Sequence, residues 1–308
     1  MNKIVAICGP TAVGKTAYSI EIAKKFDGEI VSCDSMQLYK YMDIGSAKPS
    51  PDELNQVKHH LIGVVEPSEM FSVAKYKELA NEAIDDIISR GKLPIIAGGT
   101  GLYLDALLYD LDFAAAPSDS TLRDELYKIA EEKGNLELHA ILQECDPSSA
   151  KRIHPNNVRR VVRAIESAKS GVQLKDFAKD LSLNDKYEFI LIGLRRDREE
   201  LYDRINRRVD VLVKEGLFEE VKMLREMGLS ESDISMKGIG YKEVLAYFDG
   251  EYDLETAIDT IKKNTRHFAK RQITWLKRYD DMKWFDLSES KDDKDSIREI
   301  ITWLEKSL

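Results

Sequence analysis

An α/β chain with a P-loop NTPase-like parallel sheet core and an inserted all-helical domain is the fold class the sequence predicts, on three observations. The octet "GPTAVGKT" (9–16) fits G-x-x-x-x-G-K-[ST] and follows a short apolar run, the setting of a phosphate-binding loop between a strand and a helix. Strand-like runs alternate with helical patterns, which implies a mostly parallel sheet covered on both faces, with ligands at the carboxyl ends of its strands. Between the third and fourth runs lie about ninety residues without a convincing strand, too many for an ordinary crossover and enough for a helical insertion.

"KIVAI" (3–7) reads as a short buried strand, and "TAYSIEIAKKF" after the loop repeats its apolar residues at helical spacing. "GEIVSC" (28–33) is the second strand, ending at Asp34. An amphipathic helix from Val73 to Ser89 precedes the third, "LPIIAGG" (93–99), and "EFILIGL" (188–194) is the fourth. Within the insertion, "SDSTLRDELYKIAEEKG" has polar starters and a terminal Gly, Pro147 follows a capping-type Asp146, and "NNVRRVVRAIESAKSG" closes on Gly171. From Arg195 onward the pattern is helical, punctuated by glycines, and "DLSESKDDKD" reads as a solvated connection. The expected organisation is a first part of the core at 1–112, an insertion at 113–187, and a second part at 188–308 with basic C-terminal helices.

A chain of 308 residues, 43% hydrophobic and 33% charged, has the balance of a soluble globular protein with a sizeable core. No apolar run approaches a membrane span, and Met1 leads straight into the first strand without a cleavable signal pattern, so a cytoplasmic address is expected. Three scattered cysteines without a C-x-x-C pair argue against a disulfide framework or structural zinc. No heptad seam is evident, which makes a monomer the expectation. The net charge of -9 counts against a nucleic-acid partner, but the basic residues are concentrated in 151–163, 195–208 and 262–278, the last without a single acid.

In the phosphate loop, Gly9 and Gly14 permit backbone geometry that turns N–H groups inward, Lys15 adds a point charge, and Thr16 can reach a magnesium ion. The loop establishes an oligophosphate ligand without making it a nucleotide. An NTPase would next need an acid at the end of a strand to hold magnesium, yet the third strand ends in "IIAGGTG". The candidate acid is Asp34, as a magnesium ligand or as a general base facing the substrate. Thr100 is either a turn or cap residue or a hydrogen-bonding partner of a substrate. Arg195, Arg196, Arg198 and Arg204 form a solvated helix face or bring one guanidinium onto a leaving phosphate. His59 and His60, lacking spaced partners, read as structural. In 262–278, Lys263, Arg266, Lys270 and Lys277 share one helical stripe and Ile261, Phe268, Trp275 and Tyr279 another, so one side packs and the other is solvated or meets a polyanion.

Taken in order, "GPTAVGKT", "VSCDSMQLYKYMDIGSAKP", "HHLIGVVEP", "GGTGLYLDALL", "HPNNVRRVVRAIE", "GLRRDREELYDRINRRVD", "GIGYKE" and "TRHFAKRQITW" resemble the bacterial tRNA dimethylallyltransferases over most of the chain. Val13 stands where that family often has Ser, Ser46 where it often has Thr, and Gly63 where an Asp commonly follows "HHLI". The resemblance implies transfer of a dimethylallyl group from dimethylallyl diphosphate to N6 of the adenosine 3′ of the tRNA anticodon, releasing pyrophosphate. It puts the donor diphosphate on Gly9, Pro10, Thr11, Ala12, Val13, Gly14, Lys15 and Thr16, with Mg2+ held through Thr16. It gives the tRNA to Asp34, Ser35, Met36, Gln37, Thr100, Arg123, Arg159, Arg160, Val161, Val162 and Arg163, joined by Lys263, Arg266 and Lys270 of the basic stripe. Asp34 would be the base, with Lys15, Thr100 and Arg204 assisting catalysis. A small-molecule or nucleoside kinase is the competing reading, since it would share the loop and the sheet.

Overall fold

The computed structural model describes residues 2–109, 111, 120–171, 182–290 and 292–308. Its elements run in chain order as follows. β1 (Asn2–Cys8) passes through the phosphate loop into α1 (Lys15–Lys25), and β2 (Gly28–Cys33) follows. A single helical turn, α2 (Pro51–Leu54), and β3 (His59–His60) precede α3 (Val73–Ser89), β4 (Leu93–Gly98) and α4 (Gly101–Leu108). Next come α5 (Ser120–Lys133), α6 (Asn135–Cys145), α7 (Pro147–Ala150) and α8 (Val158–Lys169). The chain then continues with β5 (Tyr187–Arg195), α9 (Arg198–Glu215), α10 (Leu217–Glu226), α11 (Tyr241–Phe248), α12 (Leu254–Leu276), β6 (Lys283–Asp286) and α13 (Asp293–Ser307).

All strand pairs are parallel, in the order β3-β2-β4-β1-β5-β6. Alternation along β1 assigns each face its helices. Val5 and Ile7 join a core with Tyr18, Ile22 and Ala23 of α1 and Ile300 and Leu304 of α13. Ile4, Ala6 and Cys8 face the other way, onto Tyr76, Ala80, Ile84 and Ile87 of α3 and Leu104 and Leu107 of α4. Each such buried aliphatic side chain contributes ~1.5–3 kcal/mol, which fixes the register because a one-residue slip would reverse both faces.

Register sets the stage for chemistry. Cys33, Gly98, Cys8 and Gly193 lie in one row across β2, β4, β1 and β5. The residues immediately beyond that row, Asp34, Gly99 and Gly9, therefore emerge at one level, with Asp34 and Gly9 two strand spacings, ~10 Å, apart.

The chain divides into two compact units, Met1–Tyr109 with Asn184–Leu308, and Asp110–Leu183. The second is built on Leu126, Leu138, Leu142, Val161, Val162 and Ile165, contributed by α5, α6 and α8. The expected boundary between 112 and 113 and the polar starters Ser118 and Asp119 lie outside the described residues. Among the described residues, the sequence reading named neither of two short strands. β3 is two residues long and β6 four, too short to show alternation. Of the segment read as a solvated connection, the last three residues open α13, where the Asp292 carboxylate caps the helix by accepting from the Asp295 N–H at 2.9 Å.

Candidate active site

The phosphate loop turns the carbonyls of Ala12 and Val13 outward and leaves N–H groups inward. Ala12 and Gly14 have positive φ, 64° and 115°, and it is this alternation that reverses the peptide units. Outside the loop, Arg196 Nε donates to Val13 O at 3.1 Å and Arg204 Nε to Ala12 O at 3.0 Å. Inside it, the N–H groups of Gly14, Lys15 and Thr16 have no protein acceptor among the described residues, at the start of α1 where helix and loop both favour an anion. Lys15 Nζ folds back to donate to Gly9 O at 3.1 Å and Pro10 O at 2.9 Å. Burial lowers its pKa to about 8, against the opposing pull of Asp34.

Arg196 is anchored from behind by Asp293 and Glu200, at 2.6 and 2.7 Å. Arg195 pairs with Asp286, and Arg198 lies over the Tyr202 ring. Of the four arginines weighed from the sequence, two therefore brace the loop and two belong to the surface. A fifth, Arg208, lines the cavity next to the loop and acts electrostatically on both Asp34 and Lys15, its own pKa lowered chiefly by desolvation. It lies four residues from Arg204 on α9, so the helical period carried a signal for it.

Asp34 begins the turn after β2. Its Oδ1 accepts from Met36 N at 2.9 Å and Gln37 N at 3.4 Å, while Oδ2 has no partner among the described residues. Thr100 heads α4 without a side-chain cap. Its Oγ1 accepts from Ser35 N at 3.1 Å and its N–H donates to Cys33 O, which ties the turn after β4 to the turn bearing Asp34. The Gln37 amide is engaged at both ends, accepting from Ser32 Oγ and donating to Ala47 O.

Asp34, Thr11 and Arg208 open onto a cavity of about 440 Å³. Ile205, Val209, Leu212, Ile261 and Phe268 make its wall apolar, and Tyr103, stacked on Tyr76 at 3.9 Å, faces it from α4. The rim at Gly45–Ala47 is set by a residue the sequence reading missed. Glu220 accepts from the N–H groups of Asp43, Ile44 and Gly45 at 2.7 to 2.9 Å, and from the Tyr241 hydroxyl at 2.8 Å. Nothing in the spacing of Glu220 marks it, because its partners are backbone groups far away in sequence.

The expected tRNA contacts in the helical unit divide by helical phase. Arg159 and Arg160 are exposed on α8. Val161 and Val162 are 0% and 1% exposed in the core of the unit, which removes them as contacts: they form the apolar stripe of an amphipathic helix. Arg123 donates through Nε and Nη2 to the buried Glu166 at 3.0 and 2.9 Å, and Arg163 approaches the same carboxylate at 3.6 Å. These two arginines offset the charge of a buried acid. On α12, Arg266 donates to Asn206 Oδ1, and Lys262 pairs with Asp210 of α9. Lys263 and Lys270 stay exposed without an acidic partner among the described residues. His59 and His60 bond Val57 O and Glu29, structural partners both.

Among the described residues no helix is long and apolar enough to cross a membrane. A sequence model of the family described as IPP transferase matches residues 37–279. The tRNA dimethylallyltransferase of Clostridioides difficile (strain 630) is 50% identical over 310 residues, covering 100% of both chains. Among solved structures, the full-length tRNA isopentenylpyrophosphate transferase of Bacillus halodurans is 44% identical with a TM-score of 0.75, covering 99% of this chain and 96% of that one. A eukaryotic dimethylallyltransferase captured acting on tRNA is 28% identical with a TM-score of 0.83, covering 100% and 80%. With a phosphate loop, a lone carboxylate and a glycine turn aligned on one row of a parallel sheet, a family model matched over 37–279 and a relative matched over its full length, this chain belongs to the IPP transferase family.

Proposed function

We propose that the protein transfers the dimethylallyl group of dimethylallyl diphosphate to N6 of the adenosine 3′ of the anticodon in tRNA, releasing pyrophosphate. The observation that carries this reading is one cavity lined by Thr11 of the phosphate loop, Asp34, Arg208 and an apolar wall. A prenyl diphosphate needs both halves of that arrangement, an anion cradle and a greasy slot. In the transfer, the N6 lone pair forms a bond to C1 of the allyl group while the C1–O bond breaks and its electron pair leaves with pyrophosphate. Asp34 accepts the N6 proton, Thr100 steadies the turn that carries Asp34, and Lys15, the loop N–H groups and Arg208 stabilise the departing charge. Arg204 contributes through the loop it braces. The Thr16 hydroxyl, without a protein partner among the described residues, suits a magnesium ion, which would supply further neutralisation of the pyrophosphate.

The kinase reading is weaker because β4 ends at Gly98 and Gly99 follows it, where an NTPase would place a magnesium-binding acid. Incubation with labelled dimethylallyl diphosphate and bulk tRNA, followed by nucleoside analysis, is expected to yield an N6-prenylated adenosine with pyrophosphate released in equal amount. Turnover of ATP without tRNA would overturn the assignment.

Lys15 makes diphosphate binding depend on pH. Its ligand-free pKa of about 8 means that the ammonium is largely present below pH 8 and lost above it. A bound polyanion favours the charged form, so affinity for pyrophosphate, corrected for the ligand's own ionisations, should be flat below pH 8 and fall by up to about tenfold per pH unit above it. Calorimetry near pH 8.5 in buffers of different ionisation enthalpy should register proton uptake on binding. An affinity unchanged to pH 9.5 would rule this out.

The tRNA grip is proposed to use Arg159 and Arg160 of the helical unit and Lys263 and Lys270 of α12, as a monomer in the cytoplasm. Replacing Lys263 and Lys270 together by Ala should weaken tRNA binding and flatten the slope of log affinity against log salt by up to about 1.5. Filter binding across a salt series decides the point, identical slopes returning the two lysines to a solvated surface.

A further inference from the structure

We infer that Gln272 is a positioning residue that locks the donor loop to the turn carrying the base, and so sets the distance between the diphosphate cradle and Asp34. The inference rests on the transfer reaction proposed above. Gln272 lies on α12 in the most basic stretch of the sequence, yet it is 5% exposed. Its Oε1 accepts from the Thr11 N–H of the phosphate loop at 2.8 Å, and its Nε2 donates to Gly99 O at 2.9 Å. One amide thus satisfies a donor on one loop and an acceptor on the other, which no single-function side chain can do.

The connection continues on both sides. From Gly99 the chain passes to Thr100, whose Oγ1 accepts from Ser35 N, next to Asp34. From Thr11 it passes into the segment whose outer carbonyls Arg204 and Arg196 hold. A Cβ at Gly99 would stand 2.2 Å from Gln272 Nε2, so the turn has room for the glutamine only because it carries no side chain there. The same contact spends the Thr11 N–H on protein, leaving the diphosphate to loop N–H groups that have no protein acceptor among the described residues, those of Gly14, Lys15 and Thr16 among them. Gln272 therefore fixes the depth at which the anion sits as well as its distance from the base.

The test compares Gln272→Leu, which removes both bonds, with Gln272→Glu, which keeps an acceptor for Thr11 but opposes the Gly99 carbonyl, and with Gly99→Ala, which displaces the amide in place. Each should weaken inorganic pyrophosphate binding about tenfold by calorimetry, the cost of an unmet buried hydrogen bond, while tRNA affinity stays at the wild-type value. Each should also lower kcat, and adding Thr100→Val to Gln272→Leu should cost less than the product of the two single effects, because both act through one chain of contacts. A merely structural glutamine would lower Tm with pyrophosphate affinity unchanged and kinetic effects that multiply, and either result overturns the proposal. If Gln272→Leu fails to fold, Gln272→Glu and Gly99→Ala carry the same two readouts. A wild-type protein that binds pyrophosphate but transfers no prenyl group would defeat the substrate assignment while leaving the pyrophosphate comparison decisive for Gln272.

Discussion

Lys15→Ala is expected to abolish prenyl transfer, with a loss of roughly 10³-fold or more, above the usual effect of deleting one preorganised donor because a full charge goes with it. The ammonium is held by Gly9 O and Pro10 O at 3.1 and 2.9 Å, so it meets an incoming diphosphate without a search. Loss of under tenfold in single-turnover transfer would refute the assignment. The charge has an opposite effect on the ligand-free fold. With its pKa lowered from 10.5 to about 8, Lys15 binds its proton less readily in the folded state than in the unfolded one. The resulting penalty is full below pH 8 and disappears as pH rises from 8 towards 10.5. Lys15→Met, which keeps the volume, should therefore melt higher than the wild type at pH 7 in the absence of ligand, and the difference should shrink by pH 10. On the proposed function, the site would hold a destabilising charge for the sake of the diphosphate it binds.

Asp34→Asn is the second large effect, a decrease in kcat of roughly 10² to 10⁴, the usual contribution of a positioned base. Asparagine suits the test because its amide oxygen can still accept from the N–H groups of Met36 and Gln37, so the turn survives while a non-basic NH2 group replaces the free oxygen. Affinity for tRNA should change little. If Asp34 serves chiefly to hold magnesium, raising the metal concentration should restore much of the rate, and such recovery would remove the base assignment.

The parts of this site that were legible in the sequence are local. A phosphate loop is eight consecutive residues whose glycines, lysine and threonine each answer to the backbone beside them, and Asp34 and Thr100 follow strands that announce themselves by composition. The remainder depends on tertiary neighbours. Gln272 is one of two side-chain amides in a run of bases, and only the approach of α12 to Gly99 gives it a purpose. Glu220 is one of many acids until the Asp43–Gly45 loop folds over it. Val161 and Val162 were misread by treating a motif as a block; helical phase alone would have turned them inward and left Arg159 and Arg160 outside. β3 and β6 were invisible because they borrow their extended shape from the strand beside them.

Those two short strands bear on how the protein survives its own assembly. A sheet made only of parallel pairs forms late, because each pairing closes a long loop, and partly folded chains meanwhile expose apolar strands to one another. The finished sheet ends on two residues of β3 at one side and four of β6 at the other. Such stubs leave almost no ladder on which a second molecule could continue the sheet. The long, sticky strands are the interior ones, so once the chain is complete the surface that invites aggregation has been used up.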